Sequence, residues 1–398
     1  MIEIKGKYGI AKVMIDDIDE TTRTQIFSFV SHPVFTNNIA IMPDCHAGKG
    51  CCVGFTMPLS DKLIPSIIGV DIGCGMLSVN IGKKIDHSLE HIDKVIRQVV
   101  PLGFHVHDNV TPDTKRFEEI CGKVGANPTR VANSVGTLGG GNHFIELGKD
   151  EQGDHWLTIH TGSRNLGKCI CDYHQKKAVD NVEVQREAYM AEQKELILNS
   201  DDKSNIQTLL DKAKNNFGVS CRDKALRYLT GADAEEYLED MKYAQEYSAD
   251  NRDKIGYLIT NALAWGVYDE IESVHNFIDF EDKIIRKGAI RSYVGERMII
   301  PFNMRDGILI CEGKSNPEWN FSAPHGAGRV LSRTQAKNTL SMDEFKEQMK
   351  DIYSTSVSTS TLDEAPDSYK DAGVIEEAIK PTATILHRIK PILNIKAA

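Results

Sequence analysis

With 398 residues, 41% hydrophobic and 26% charged, the chain has the balance of a soluble globular protein, long for one compact core and short for three domains. A net charge of −10 excludes nucleic-acid affinity from a uniformly basic surface, but not from a local basic cleft. No apolar run reaches membrane-spanning length. The nine scattered cysteines make no disulfide framework, so reduced thiols in a cytoplasmic setting are expected.

The N-terminus, Met1 to Gly6, begins directly as a strand-like segment, with no signal peptide expected. Asp19 to Val30 reads as a helix. Ile39-Ala40-Ile41 reads as an apolar strand entering a loop, Pro43-Asp44-Cys45-His46-Ala47-Gly48-Lys49-Gly50. Backbone N–H groups and Lys49 there suit a phosphate, although the spacing is not that of a Walker A loop. Ser66-Ile67-Ile68 reads as a strand start leading into Asp71-Ile72-Gly73-Cys74-Gly75, where a carboxylate and a thiol stand three residues apart at a glycine turn. Residues 86–100 carry Leu89, Ile92, Val95 and Ile96 on one helical face.

Next comes Gly139-Gly140-Gly141-Asn142-His143-Phe144-Ile145-Glu146, a strand with Asn142, Phe144 and Glu146 on one side and His143 on the other. Trp156 to His160 is a second apolar strand ending in a histidine, before the turn Gly162-Ser163-Arg164. From 172 to 266 glycine is sparse, and helices are expected at Val184–Leu198, Ile206–Phe217, Ala234–Ser248 and Asn251–Trp265. This stretch reads as a helical insertion within a single catalytic domain spanning 1–398. Strands return at Ile271–Ile278, Ile284–Arg291, Met298–Pro301 and Gly307–Cys311, then His325-Gly326-Ala327-Gly328-Arg329 precedes a helical run with Arg333 and Lys337.

His143, His160 and His275 each lie in or at the end of an apolar strand beside a small or polar turn. One such histidine is most often a core residue with a satisfied hydrogen bond. Three of them with Asp71 and Cys74 make five donors at strand ends, and this N, S and O set suits Zn²⁺ or Mn²⁺ better than Mg²⁺. A thiolate can bridge two ions. His325, followed by backbone donors and Arg329, reads either as a nucleophile in an anion cradle or as a fourth ligand histidine.

The Asp71–Gly75, Gly141–Glu146, His160–Arg164 and His325–Arg329 stretches resemble the RtcB-type RNA ligases, as do Pro43–Gly50, Arg286–Ala289 and Glu364–Asp371. The resemblance implies an α+β fold of mixed sheets around a central metal cleft. It implies joining of an RNA 3′-phosphate or 2′,3′-cyclic phosphate to a 5′-hydroxyl, with GTP and two Mn²⁺ ions. By the same resemblance Cys74 bridges the ions, His160 and His275 complete one, and Asp71 and His143 the other. His325 carries GMP, and Asp44 lies in the catalytic site. The guanylate is met by Asn142, His143, Phe144, Ile145, Glu146, His275 and Asn276. Asn303, Met304, Gly326, Ala327, Gly328, Tyr369 and Lys396 complete its surroundings. Arg164, Lys287, Arg329 and Arg333 meet RNA phosphates. The chain departs from the family at Pro301-Phe302-Asn303-Met304-Arg305-Asp306-Gly307, where bulkier residues replace the small ones of the family's guanylate loop. Two rivals remain at this point: a metal-dependent phosphodiesterase or nucleotidyltransferase that does not ligate, and a noncatalytic RNA-end-binding protein.

Overall fold

The computed structural model describes residues 1–108, 115–199, 205–217 and 223–397. Two sheets carry the α+β fold. The first runs, in spatial order, Ile2–Lys5, Ile10–Val13, Ile39–His46, Val53–Pro58, Ile284–Lys287 and Asn276–Asp279. The second runs Arg297–Pro301, Ile308–Gly313, Ala383–Ile395, Phe144–Lys149, His155–Thr161, Gly75–Gly82 and Asp269–Val274. Pairing is antiparallel except between Ile10–Val13 and Ile39–His46. A short ribbon joins Ala289–Arg291 to Ser322–Pro324.

Side chains alternate across the second sheet, as the pleat requires. Leu157, Ile159, Ile145 and Leu147 face a layer containing Ile255 and Ile259 of helix Gly231–Ala262 and Ile92 and Ile96 of helix Leu89–Val99. Trp156 and Phe144 face the other way, into a second cluster with Met76, Ile299 and Ile308. His160 therefore shares its face with Trp156, away from the helices.

Several elements differ from the sequence reading. Ser66-Ile67-Ile68 belongs to a helical turn, Pro65–Ile68, begun by a proline at a position that needs no N–H. The strand from Ile39 does not stop at Ile41 but continues to His46, with a register irregularity after Ile41. That irregularity accommodates Pro43, which has no ladder donor, and re-aims the residue that follows. The two strands expected across Ile271–Ile278 and Ile284–Arg291 are each broken, at His275 and at Gly288. At His275 the chain leaves the edge of the second sheet and enters the first, with its N–H bonded to the Cys74 carbonyl at 2.9 Å.

In the helical stretch, the helix expected from Val184 begins at Arg164 and runs to Leu198. The segment Ile206–Asn216 is helical as expected. The third and fourth helices are one, Gly231–Ala262. Asp250 and Asn251 do not interrupt it, because Asn251 directs its amide to other segments (below). Among the described residues no helix is long and apolar enough to cross a membrane. The eight described cysteines are free, and Cys221 lies outside the described residues.

Candidate metal and nucleotide-transfer site

The strand register assembles the histidines. Phe144 pairs with His160, Met76 with His160, and Gly75 with Val274. Cys74, His143 and His275 are each the residue just outside a strand, so three strand ends and His160 meet at one end of four adjacent strands. Cys74 Sγ lies 3.3 Å from His160 Nε2 and 3.6 Å from His143 Nε2. His160 Nε2 lies 3.3 Å from His275 Nε2, and His143 Nε2 lies 2.9 Å from Asp71 Oδ2. Two overlapping groups result, Cys74–His160–His275 and Asp71–Cys74–His143, sharing the thiol.

These residues fit metal. Donors bound about 2.1–2.3 Å from a tetrahedral ion stand roughly 3.5 Å apart, the spacing found here. His143 Nδ1 meets the Leu138 carbonyl at 3.0 Å; a carbonyl only accepts, so the proton is on Nδ1 and Nε2 is free to ligate. Burial holds the His160 and His275 imidazoles well below their ordinary pKa, aided by the neighbouring histidines, so both are in the neutral form that ligates. Burial and the Asp71 charge push the Cys74 thiol up, and a bound cation reverses that. Burial alone would raise the Asp71 carboxyl, but the adjoining His143 ring, the Cys74 thiol and His160 hold it low.

Helix Gly231–Ala262 supports the ligand loops. The buried Arg252 donates through Nη1 to the carbonyls of Gly73 (2.8 Å) and Thr161 (3.1 Å) and pairs with Glu272. Asn251 donates to the Thr137 and Gly162 carbonyls, and Ser248 to that of Ile72. Gly162 is held to its size, since a Cβ there would come 2.1 Å from Asp71 Oδ1. We expect Arg252→Met to lower metal affinity by about 10–100-fold, the usual scale for groups that orient ligands. Calorimetric titration with Mn²⁺ checks it; unchanged affinity would detach the helix from the site.

A cleft of about 920 Å³ opens beside the ligands. His325 lines it, its ring 4.7 Å from that of His275. Asp44, fully buried behind it, accepts the His325 Nδ1–H at 2.6 Å and the His325 backbone N–H at 3.2 Å. Nε2 is thereby the ring nitrogen left for chemistry. His325 is in neither of the two ligand groups found among the described residues. At Gly328, with φ +76°, a Cβ would strike the Asp44 carbonyl, so glycine keeps this turn against Asp44.

Of the residues expected around a guanylate, Asn142, Phe144, Glu146, Asn276, Gly326, Ala327, Gly328, Tyr369 and Lys396 line the cleft. Glu146 is buried and its carboxyl is pushed up to about 8 by desolvation. Asn394 donates to its Oε2, and Oε1 has no partner among the described residues. Asn303 and Met304 also line the cleft, but Met304 is packed with Phe345 and Met349 while Asn303 accepts the Arg305 and Asp306 N–H groups. The Ile145 side chain does not line the cleft: it is fully buried among Leu147, Leu157 and Ile159, facing away as strand alternation demands.

The cations divide. Lys287, Arg329 and Arg333 line the cleft, with Lys287 Nζ on the Ile68 carbonyl at 2.7 Å. Arg164 does not line it; its guanidinium donates to Thr137 Oγ1 and the Gly103 carbonyl beneath the Gly139 turn. Sequence reading missed Glu364 and Asp363, which pair with Arg329, Arg333, Lys337 and Lys396. It also passed over His46 as a site residue, though it lines the cleft with Nδ1 on the Asp44 carbonyl at 2.9 Å. The signal for Glu364 was its place at the head of the Glu364–Asp371 stretch.

A family model described as tRNA-splicing ligase RtcB matches residues 25–127 and 121–397. The chain is 27% identical to the RNA-splicing ligase RtcB of Escherichia coli K12, over 95% of each chain. It is 25% identical to the tRNA-splicing ligase RtcB of Nanoarchaeum equitans, over 98% of this chain and 94% of that one. The match runs through the Asp71–Cys74 turn, the three histidine strands and the His325 turn alike, and the chain belongs to the RtcB family.

Proposed function

We propose that this protein is a GTP- and Mn²⁺-dependent ligase that joins an RNA 3′-phosphate or 2′,3′-cyclic phosphate end to a 5′-hydroxyl end. His325 carries the reading: its Nδ1–H is fixed on Asp44, and its remaining nitrogen stands in the cleft beside the ligand group. In this scheme His325 Nε2 attacks the α-phosphorus of GTP, a P–N bond forms and pyrophosphate leaves. A 2′,3′-cyclic end is first opened by water, which adds to phosphorus as the 2′-oxygen leaves; a 3′-phosphate oxygen then takes GMP from the histidine. Attack of the 5′-hydroxyl on the activated 3′-phosphorus releases GMP and seals the strand. Asp44 stabilises the charge that His325 acquires and keeps its tautomer. Asp71, Cys74, His143, His160 and His275 would hold Mn²⁺, which when bound neutralises phosphate charge and orients the reacting oxygens.

Glu146, with an unpartnered carboxyl oxygen in the cleft, and Lys396 are suited to the polar edge of a base; Tyr369 and Phe144 offer it ring surface. Arg329, Arg333 and Lys287 are the cations suited to RNA phosphates. The Arg164 guanidinium is engaged with Thr137 and Gly103 beneath the Gly139 turn. The 172–266 stretch, as a helical insertion in one catalytic domain, and a reduced cytoplasmic setting belong to the same proposal.

Incubation with α-labelled GTP and Mn²⁺, followed by RNA of defined ends, tests it. A labelled protein band chased into RNA and then released on sealing is expected. Label that never leads to sealed product would favour the nucleotidyltransferase rival. RNA binding should weaken steeply with salt despite the acidic net charge. With three or four phosphates neutralised, a slope of about −2.5 gives roughly a 30-fold loss for a fourfold rise in salt. Filter binding of 3′-phosphate RNA checks this, and a flat response removes the basic cleft.

A further inference from the structure

Glu364 ends the 3₁₀ turn Thr359–Glu364 and is 2% exposed. Four donors meet its carboxylate. Lys396 Nζ lies 2.8 Å from Oε2, and the Tyr369 hydroxyl donates to the same oxygen at 2.7 Å. Arg329 Nη1 donates to Oε1 at 3.3 Å, and Arg333 Nη2 lies 3.5 Å from it. Each oxygen thus serves one side of the cleft.

The contacts continue outward on both sides. Lys396 donates to the Asn142 carbonyl at 3.3 Å and stands 5.5 Å from the centre of the Phe144 ring, so it grips both neighbours of the ligand His143. Arg329 sits in the turn that follows His325 and stacks 5.1 Å over the Tyr369 ring. A single carboxylate joins the segment carrying a metal ligand to the segment carrying the nucleophile. Asp363 next to it takes Arg333 and Lys337, so four cations face two carboxylates and an excess of two positive charges is left for anionic ligands.

We propose that Glu364 is a positioning residue that couples the guanylate side of the cleft to its RNA-phosphate side. This rests on the reading of the cleft as the place of guanylate transfer. Long cationic side chains lose rotamer freedom when they bind phosphate, and donors already fixed lose less. Glu364 holds Lys396, Tyr369 and Arg329 by hydrogen bonds and Arg333 by an ion pair. A ligand that engages Lys396 and Tyr369 changes the demand on Oε2, and the arginines feel it through the shared carboxylate.

The full-length, Mn²⁺-loaded protein serves for the test, with melting temperature and metal content recorded beside kinetics. Glu364→Gln keeps the shape and removes the charge. The GTP concentration for half-maximal adduct formation should rise about tenfold, and so should KM for 3′-phosphate RNA in sealing. The adduct rate at saturating GTP should change by less than about threefold. Lys396→Met should raise KM for RNA in the otherwise wild-type protein, yet add nothing to it in the Glu364→Gln background. A purely structural Glu364 would lower melting temperature and active fraction while leaving both half-saturation values within about twofold, which overturns the coupling. If Glu364→Gln does not fold, Lys396→Met decides alone: a rise for GTP without a rise for RNA overturns it. A wild-type protein that forms no adduct at all is a different result, and refutes the guanylate reading itself.

Discussion

His325→Ala is expected to abolish the protein–GMP adduct, by at least about 10³-fold, while leaving metal content unchanged. The reason is the separation of roles in the cleft. Neither of the two ligand groups contains His325, and among the described residues the hydrogen bond of its side chain is to Asp44. The variant should still seal RNA whose 3′-end is already activated with guanylate, because the ligand groups remain for that step. Metal analysis, adduct formation and sealing of pre-activated RNA on one preparation decide the matter. Adduct formation retained in His325→Ala would sink the assignment and the scheme built on it. Lost metal together with all activities would return His325 to the ligand set.

Cys74→Ser should be as damaging by a different route. Cys74 is the one residue common to both ligand groups, with two imidazole nitrogens within 3.6 Å of its sulfur. Serine keeps the size but is not deprotonated near neutral pH and is a poor bridge between two cations. We expect sealing to fall by at least about 10³-fold with the fold intact, and metal content to drop. Far-ultraviolet circular dichroism, metal analysis and turnover on the same sample check the three parts. Two tightly held ions with ordinary turnover in Cys74→Ser would remove the bridging role.

Much of the site was legible because its residues occupy positions that local pattern exposes. A histidine at the end of an apolar strand beside glycines is visible at His143 and His160, and the ladder register then brings such ends together. Helix Glu20–Val30 was legible to within one residue; Asp19, read as its start, caps it by accepting the Thr22 N–H. Other features depend on partners far along the chain. Pro43 argues for a loop, and only the irregular pairing with Val53–Pro58 keeps it in a strand. The single helix Gly231–Ala262 looked like two because Asp250-Asn251 is a poor helix pair, and the interactions of Asn251 with Thr137 and Gly162 lie outside any local window. Arg164 looked like a phosphate ligand because arginine after a glycine turn so often is; its commitment to Gly103 and Thr137 follows from loops packed together. Glu364 is the same lesson with opposite sign, an unremarked acid whose value comes wholly from four cleft residues gathered around it.

The clasp of Arg252 on Gly73 and Thr161 has a consequence for the order in which the molecule matures. Cys74, His160 and His275 are far apart in the chain, and the helix that steadies two of their loops lies between the second and the third. The ligands therefore close on one another only after a long excursion of chain has returned and docked. An ion that binds only the finished site would add stability to the whole of it, about 2.7 kcal/mol at a hundred times its dissociation constant. Slowly exchanging amide protons near the middle of helix Gly231–Ala262 should then gain protection when Mn²⁺ is added, although no residue of that helix is among the ligands. A helix that supplies no ligand would thus record, in its exchange rates, whether the cleft is loaded.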